Sequence, residues 1–204
     1  MIEILEEIVV NVLVALYLPF GASIIFAILF MFFCMMVEEN GLKTVVRSWL
    51  EQFRKNTKFR RMFVFAFYVS MILFRTLLNR NMWANPISNV IGVWSLYNAK
   101  GELTTEAIEN LALFIPFTIL LLWSFKEKVL GQDVRLFRVL WKSVKIVFLF
   151  SLVVELLQLF LRLGTFQLSD LFYNTLGGFV GGLIYWIGYK LDNKFKTETG
   201  DTGH

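Results

Sequence analysis

Five apolar runs, each bounded by polar connectors, organise this chain of 204 residues: they cover 4–37, 62–78, 107–125, 145–163 and 170–189. A helix crossing a bilayer needs about 20 consecutive apolar residues. The pattern therefore predicts an all-α fold, a polytopic bundle of five transmembrane helices that fills residues 1–190 as a single membrane domain. The first run exceeds one crossing, so it should tilt or kink at Pro19-Phe20-Gly21, where proline lacks an N–H and its ring collides with the preceding turn. It opens MIEILEE, acidic rather than basic, and so reads as a retained helix instead of a cleavable signal. Residues 191–204 include the polar stretch KTETGDTGH and read as a disordered tail.

Two connectors have a periodicity of their own. In LKTVVRSWLEQFR, residues Leu42, Val45, Val46, Trp49, Leu50 and Phe53 recur at helical spacing with charges opposite, the pattern of a helix lying on a membrane surface. In NPISNVIGVWSLYN, residues Ile87, Val90, Ile91, Trp94 and Tyr97 do the same and predict a second interfacial helix on the other side.

Composition agrees with a membrane setting, since 57% of residues are hydrophobic and 17% aromatic, against roughly 45–50% apolar in soluble domains. Basic residues fix the orientation. Of 20, sixteen fall in the connectors after the first and third runs and after the fifth, counting Lys145 at the very start of the fourth run, whereas Arg80 and Lys100 alone fall on the other side, with Arg75 and Arg162 inside helices. Lys and Arg are retained in the cytoplasm, which places the N-terminus outside and the C-terminus inside. The net charge of +4 then belongs to a basic skirt facing anionic membrane lipids, and it excludes nucleic acid as the inferred partner.

Several chemistries are ruled out by absence. The chain has one histidine, His204, and one cysteine, Cys34, read as a small buried hydrophobe. A His/Cys metal site, a serine–histidine pair and a disulfide are excluded, and no phosphate-binding G-x-x-x-x-G-K-[ST] loop occurs.

What remains is a polar set in the last two runs. Glu155, Gln158 and Arg162 share one face of the fourth helix, and Asp170, Asn174, Gly177 and Gly181 share one face of the fifth. A hairpin folded at Phe166 would set Arg162 opposite Asp170, Gln158 opposite Asn174 and Glu155 opposite Gly177. Gly177-x-x-x-Gly181 and Gly178-x-x-x-Gly182 form a small-residue strip for close helix packing. Charges in hydrocarbon are costly, turn inward and usually mark function. Glu155 falls near the middle of the fourth run; its candidate cationic partners are Arg162 and Arg75, with Asn110 within reach. The seam reads as an inward-facing polar pocket open to the outer leaflet, or as polar glue between helices.

The order E-x2-Q-x3-R-x7-D-x3-N-x2-G-x3-G, carried by Glu155, Gln158, Arg162, Asp170, Asn174, Gly177 and Gly181, resembles the C-terminal signature of VanZ-like membrane proteins. NRNMWANPISNVI, with Arg80, is similar to that family's outer-loop segment, and ENLALFIPFTILL to its N-x-x-x-F-x-P-F-G helix, except that Thr118 stands where the family tends to have glycine. The resemblance spans about residues 68–189. It implies a bacterial plasma-membrane protein associated with reduced susceptibility to teicoplanin and related lipoglycopeptides. It implies no enzymatic activity and no cofactor, and its partners would be membrane lipids together with the antibiotic or a lipid-linked cell-wall precursor.

Other classes stay open. A small transporter or flippase would normally show inverted repeats, and none is visible. A non-catalytic structural partner protein is equally compatible. An intramembrane enzyme using Glu155 and Asp170 as acid and base is disfavoured, because the Phe166 hairpin separates them by about 10 Å of helix rise.

Overall fold

A computed structural model describes residues 2–17, 19–36, 42–78, 87–95, 97 and 104–200 of the chain. Its described elements are all helical: α1 (Ile2–Tyr17), α2 (Phe20–Met36), α3 (Leu42–Lys55), α4 (Thr57–Leu73) continued by a π-helical turn (Phe74–Leu78), α5 (Glu106–Val129), α6 (Leu136–Leu161) and α7 (Leu168–Gly200). Arg80, Lys100 and the Asn79–Pro86 part of the outer connector lie outside the described residues, as does the side chain of Cys34.

α5 and α6 are long and apolar enough to cross a membrane by length and composition. The other runs, also helical, do not meet that test of length and composition. The first is two helices rather than one tilted helix, because Pro19 ends the α1 pattern and α2 restarts at Phe20. α4 spends its first turn on Lys58, Arg60 and Arg61, and α7 dilutes its apolar content with Asp170, Asn174 and glycines. α7 also continues to Gly200, so residues 191–200, read as a disordered tail, are helical.

Local chemistry explains the boundaries. Asn56 caps α4 by accepting from the backbone N–H groups of Lys58 and Phe59 at 3.0 and 3.2 Å. α5 carries Glu106 and Glu109 in its first turn and Lys126 and Lys128 in its last, both favourable to the helix dipole. Asp133 precedes α6 and accepts from Arg135, whose guanidinium beside it holds its carboxyl below the usual range. α3 forms as the sequence predicts, and Trp49 packs its apolar face into a ring cluster, stacked on Phe32 and Phe53 and edge-on to Phe59 and Phe63.

The centre is built by α4, α5, α6 and α7. Tyr68, Met71, Ile72, Leu113, Phe114, Phe117, Leu121 and Val147 form its main apolar core. Tyr68 donates to the Leu113 carbonyl at 2.8 Å, which satisfies the one polar atom the ring brings inside. α7 packs against both neighbours through glycines. A Cβ at Gly177 would lie 2.3 Å from the Leu111 carbonyl oxygen and one at Gly181 2.6 Å from that of Ile115, so this strip faces α5. Gly178 and Gly182 face Val147 and Ser143 of α6 instead, at 2.6 and 2.5 Å. Thr118 is fully buried on α5, with its Cβ 2.9 Å from where a Cβ of Gly181 would stand. The threonine is accommodated because its partner is a glycine.

Candidate functional site

The polar residues gather where α4 and α6 end and α5 and α7 begin. Glu155, Gln158, Asp170 and Asn174 are buried there, with Glu155 only 3% and Gln158 2% exposed. The register between α6 and α7 follows from three contacts one turn apart: Ser143 meets Gly182, Val147 meets Gly178, and Asn174 Nδ2 donates to Ser151 Oγ at 2.8 Å. One turn further, Glu155 and Asp170 fall level with each other.

That register corrects the hairpin predicted about Phe166. Asn174 pairs with Ser151 rather than Gln158, and Glu155 is level with Asp170 rather than Gly177. The cause is the connection. α6 stops at Leu161 with Arg162 in the left-handed region at φ 56°. The chain then folds back beside the end of α6, burying Gly164, Thr165 and Gln167 before α7 starts at Leu168. The Gln167 backbone N–H donates to Glu155 Oε2 at 3.0 Å, which places a carboxylate at the start of α7 where the helix dipole favours negative charge. α6 also begins at Leu136 rather than near residue 145, so Glu155 lies six residues from its end, about 9 Å by helix rise, and not in the middle of the helix.

Gln158 is held from another direction. Its Nε2 donates to the Thr76 carbonyl at 2.8 Å, inside the π-helical turn that closes α4. A π turn breaks the α-helical bonding pattern and is frequent at functional sites. The same turn carries Arg75, whose guanidinium pairs with Glu109 of α5 at 2.6 Å. Thr105 donates to Glu109 and accepts from Asn11 of α1 at 3.1 Å, extending the network to the N-terminal helix. Asn110 is half-buried next to Glu109 on α5 and, among the described residues, makes no side-chain hydrogen bond to the seam. Arg162 is exposed: its left-handed backbone takes it off the face it would share with Glu155 and Gln158. Arg80 lies outside the described residues.

Over the seam lies residues 87–95, irregular rather than the predicted interfacial helix. Its backbone bonds run to α7: Leu168 N–H donates to the Val90 carbonyl at 2.8 Å, and Val93 N–H to Ser169 Oγ at 3.1 Å. Gly92 makes the approach possible at φ 77°, since a Cβ there would lie 1.9 Å from Ser169 Oγ. Trp94 packs on Phe172 and Tyr173, and the Tyr173 hydroxyl donates to the Trp94 carbonyl at 3.2 Å.

Thr165, Gln167, Ser169, Ser151 and Glu109 are components the sequence analysis did not single out. Ser151 was detectable, standing four residues before Glu155 on the same face; Glu109 was detectable as a carboxylate one turn into an apolar run. The loop residues gave no signal, because they read as an ordinary polar connector. Asn174 Oδ1 is buried and has no hydrogen-bond partner among the described residues. With Glu155, Asp170 and the Gln167 and Ser169 side chains, it belongs to a cluster of buried polar groups where α6 ends and α7 begins.

A family model described as VanZ/LLP1 matches residues 20–189. The chain belongs to the VanZ/LLP1 family. The match reaches back beyond residue 68, where the resemblance read from the sequence begins, to take in α2 and α3. Among relatives, Protein VanZ of Enterococcus faecium is 29% identical over 118 residues, 54% of this chain and 67% of that protein. No solved structure matches. With α5 and α6 apolar and long enough to span a bilayer, VanZ/LLP1 membership makes this a membrane protein.

Proposed function

We propose that this protein lowers susceptibility to teicoplanin and related lipoglycopeptides by engaging a polar head group, of the drug or of a lipid-linked cell-wall precursor, at the polar cluster around Glu155 and Asp170. The observation carrying the reading is the burial of two carboxylates at one level of the α6–α7 pair, beside Asn174 Oδ1, which has no hydrogen-bond partner among the described residues. Polar glue between two helices needs fewer groups than this, and buried ionisable residues in membrane segments usually serve a ligand or pathway. VanZ/LLP1 membership supports the same direction. Minimum inhibitory concentrations and cell-surface drug binding, compared with and without the chain, test it. Unchanged values for both would sink the proposal.

In this reading the protein is a multi-pass protein of the bacterial plasma membrane, with the first terminus outside and the last in the cytoplasm. The antiparallel core supports it, because the basic starts of α4 and α6 and the basic end of α5 fall at the end of the bundle opposite the polar cluster. Cysteines placed at Ser88 and Thr57 in a Cys34→Ala background are expected to differ: an impermeant thiol reagent applied to intact cells should label the first and spare the second. Labelling of position 57 from outside would reverse the orientation.

A second reading is an acid/base pair acting on a lipid-linked substrate, favoured by the level placement of Glu155 and Asp170, which removes the separation argument against it. It differs in leaving a chemically altered product, visible by mass spectrometry of extracted lipids.

A further inference from the structure

The end of the bundle opposite the polar cluster contains a cleft of about 620 Å³ that the proposed function does not use. Its walls come from the first turn of α4, the last turns of α5 and the stretch of α7 around Tyr185 and Tyr189. Two cations are pre-placed in it by aromatic rings. The Arg61 guanidinium lies 4.7 Å from the centre of the Trp123 ring, and the Lys126 ammonium 4.4 Å from that of Tyr189. Ser124 donates to the Arg61 carbonyl at 3.0 Å and so ties α5 to α4 at the cleft floor. Next to it Phe125 interrupts α5 with non-helical torsions, immediately before Lys126.

Arg61 Nε is buried without a hydrogen-bond partner among the described residues. A buried donor without an acceptor is costly, and a bound anion would remove the cost. The acidic members, Glu127 and Asp192, are exposed and sit on the rim, whereas Arg61 and Lys126 are half-buried. Lys58 and Lys128 line the cleft as well, so its cations outnumber its carboxylates. Phosphate oxygens suit both groups, accepting from the planar guanidinium fork and from a point-charge ammonium. We propose that this cleft binds a phosphate-bearing anion, either a phospholipid head group or a soluble phosphate ester, with Arg61 and Lys126 as its ligating cations.

The full-length chain, purified in detergent, tests this by equilibrium binding of phosphatidylglycerol against phosphatidylcholine of the same acyl chains. Preference for the anionic lipid should fall by about tenfold in an Arg61→Gln/Lys126→Gln double variant, the size of a lost hydrogen bond to a charged group. An Arg138→Gln/Lys142→Gln double variant, which removes equal charge outside the cleft, should keep the preference. Should the first double variant misfold by thermal melting, Lys126→Gln alone serves, with the same direction of change. Competition by glycerol phosphate assigns the site to soluble esters; lipid binding that resists it assigns the site to membrane head groups. Equal retention of the two lipids with no binding of glycerol phosphate, or equal losses in the two double variants, would overturn the proposal.

Discussion

Glu155→Gln is expected to return cells to the teicoplanin susceptibility of cells lacking the chain, while the protein accumulates and melts as the unmodified form does. The substitution separates two roles of one side chain. Glu155 accepts from the Gln167 backbone N–H, and a glutamine oxygen accepts in the same geometry, so the connection into α7 survives. The stability change should stay within about 1 kcal/mol, the net worth of an ordinary hydrogen bond. What is lost is the carboxylate level with Asp170. Asp170→Asn should act alike. Arg162→Gln should not, because Arg162 is exposed at the end of α6. Minimum inhibitory concentrations, read beside immunoblots and melting curves, separate these outcomes. Full protection by a folded Glu155→Gln protein would reduce the seam to helix packing.

The second large effect is on stability. Gly177→Leu should cost more than about 3 kcal/mol, the upper part of the usual range for overpacking. Even a Cβ at this position would stand 2.3 Å from the Leu111 carbonyl oxygen, a backbone atom that cannot swing aside as a side-chain end can. Gly188 on the same helix is the control, since a Cβ there meets nothing within 4 Å. A large drop in melting temperature for Gly177→Leu with little change for Gly188→Leu is expected. Similar melting of both variants would mean that α7 does not press against α5.

Much of the site was legible, because its residues are rare polar types in apolar runs and helical periodicity assigns them to faces. The placement of Glu155, Gln158 and Asn174 on buried faces needs nothing more than that periodicity. What spacing could not supply is register. A hairpin centred on its connector assumes that the connector continues the helix axes, whereas residues 163–167 turn back alongside α6 and bring Asp170 down to the level of Glu155. Arg162 misleads for a related reason: face assignment presumes helical torsions, and its positive φ ends the helix. The 87–95 segment shows periodicity overridden by pairing. Its backbone groups find partners on Leu168 and Ser169, and Gly92 leaves the helical region to reach them. Pro19, by contrast, acted more strongly than a kink, because the apolar run on either side is long enough for two helices.

The central claim, a head-group site around Glu155 and Asp170, is tested most directly by ligand binding to the purified full-length chain in lipid nanodiscs. Labelled teicoplanin and a labelled lipid-linked cell-wall precursor would be titrated against the unmodified protein and the Glu155→Gln variant, with Arg162→Gln as control. Saturable binding of one of them, weakened at least about tenfold by Glu155→Gln as expected for a lost charge-assisted contact and unchanged by Arg162→Gln, is the predicted result. Binding of neither compound, or equal binding by the unmodified and Glu155→Gln proteins, would contradict it.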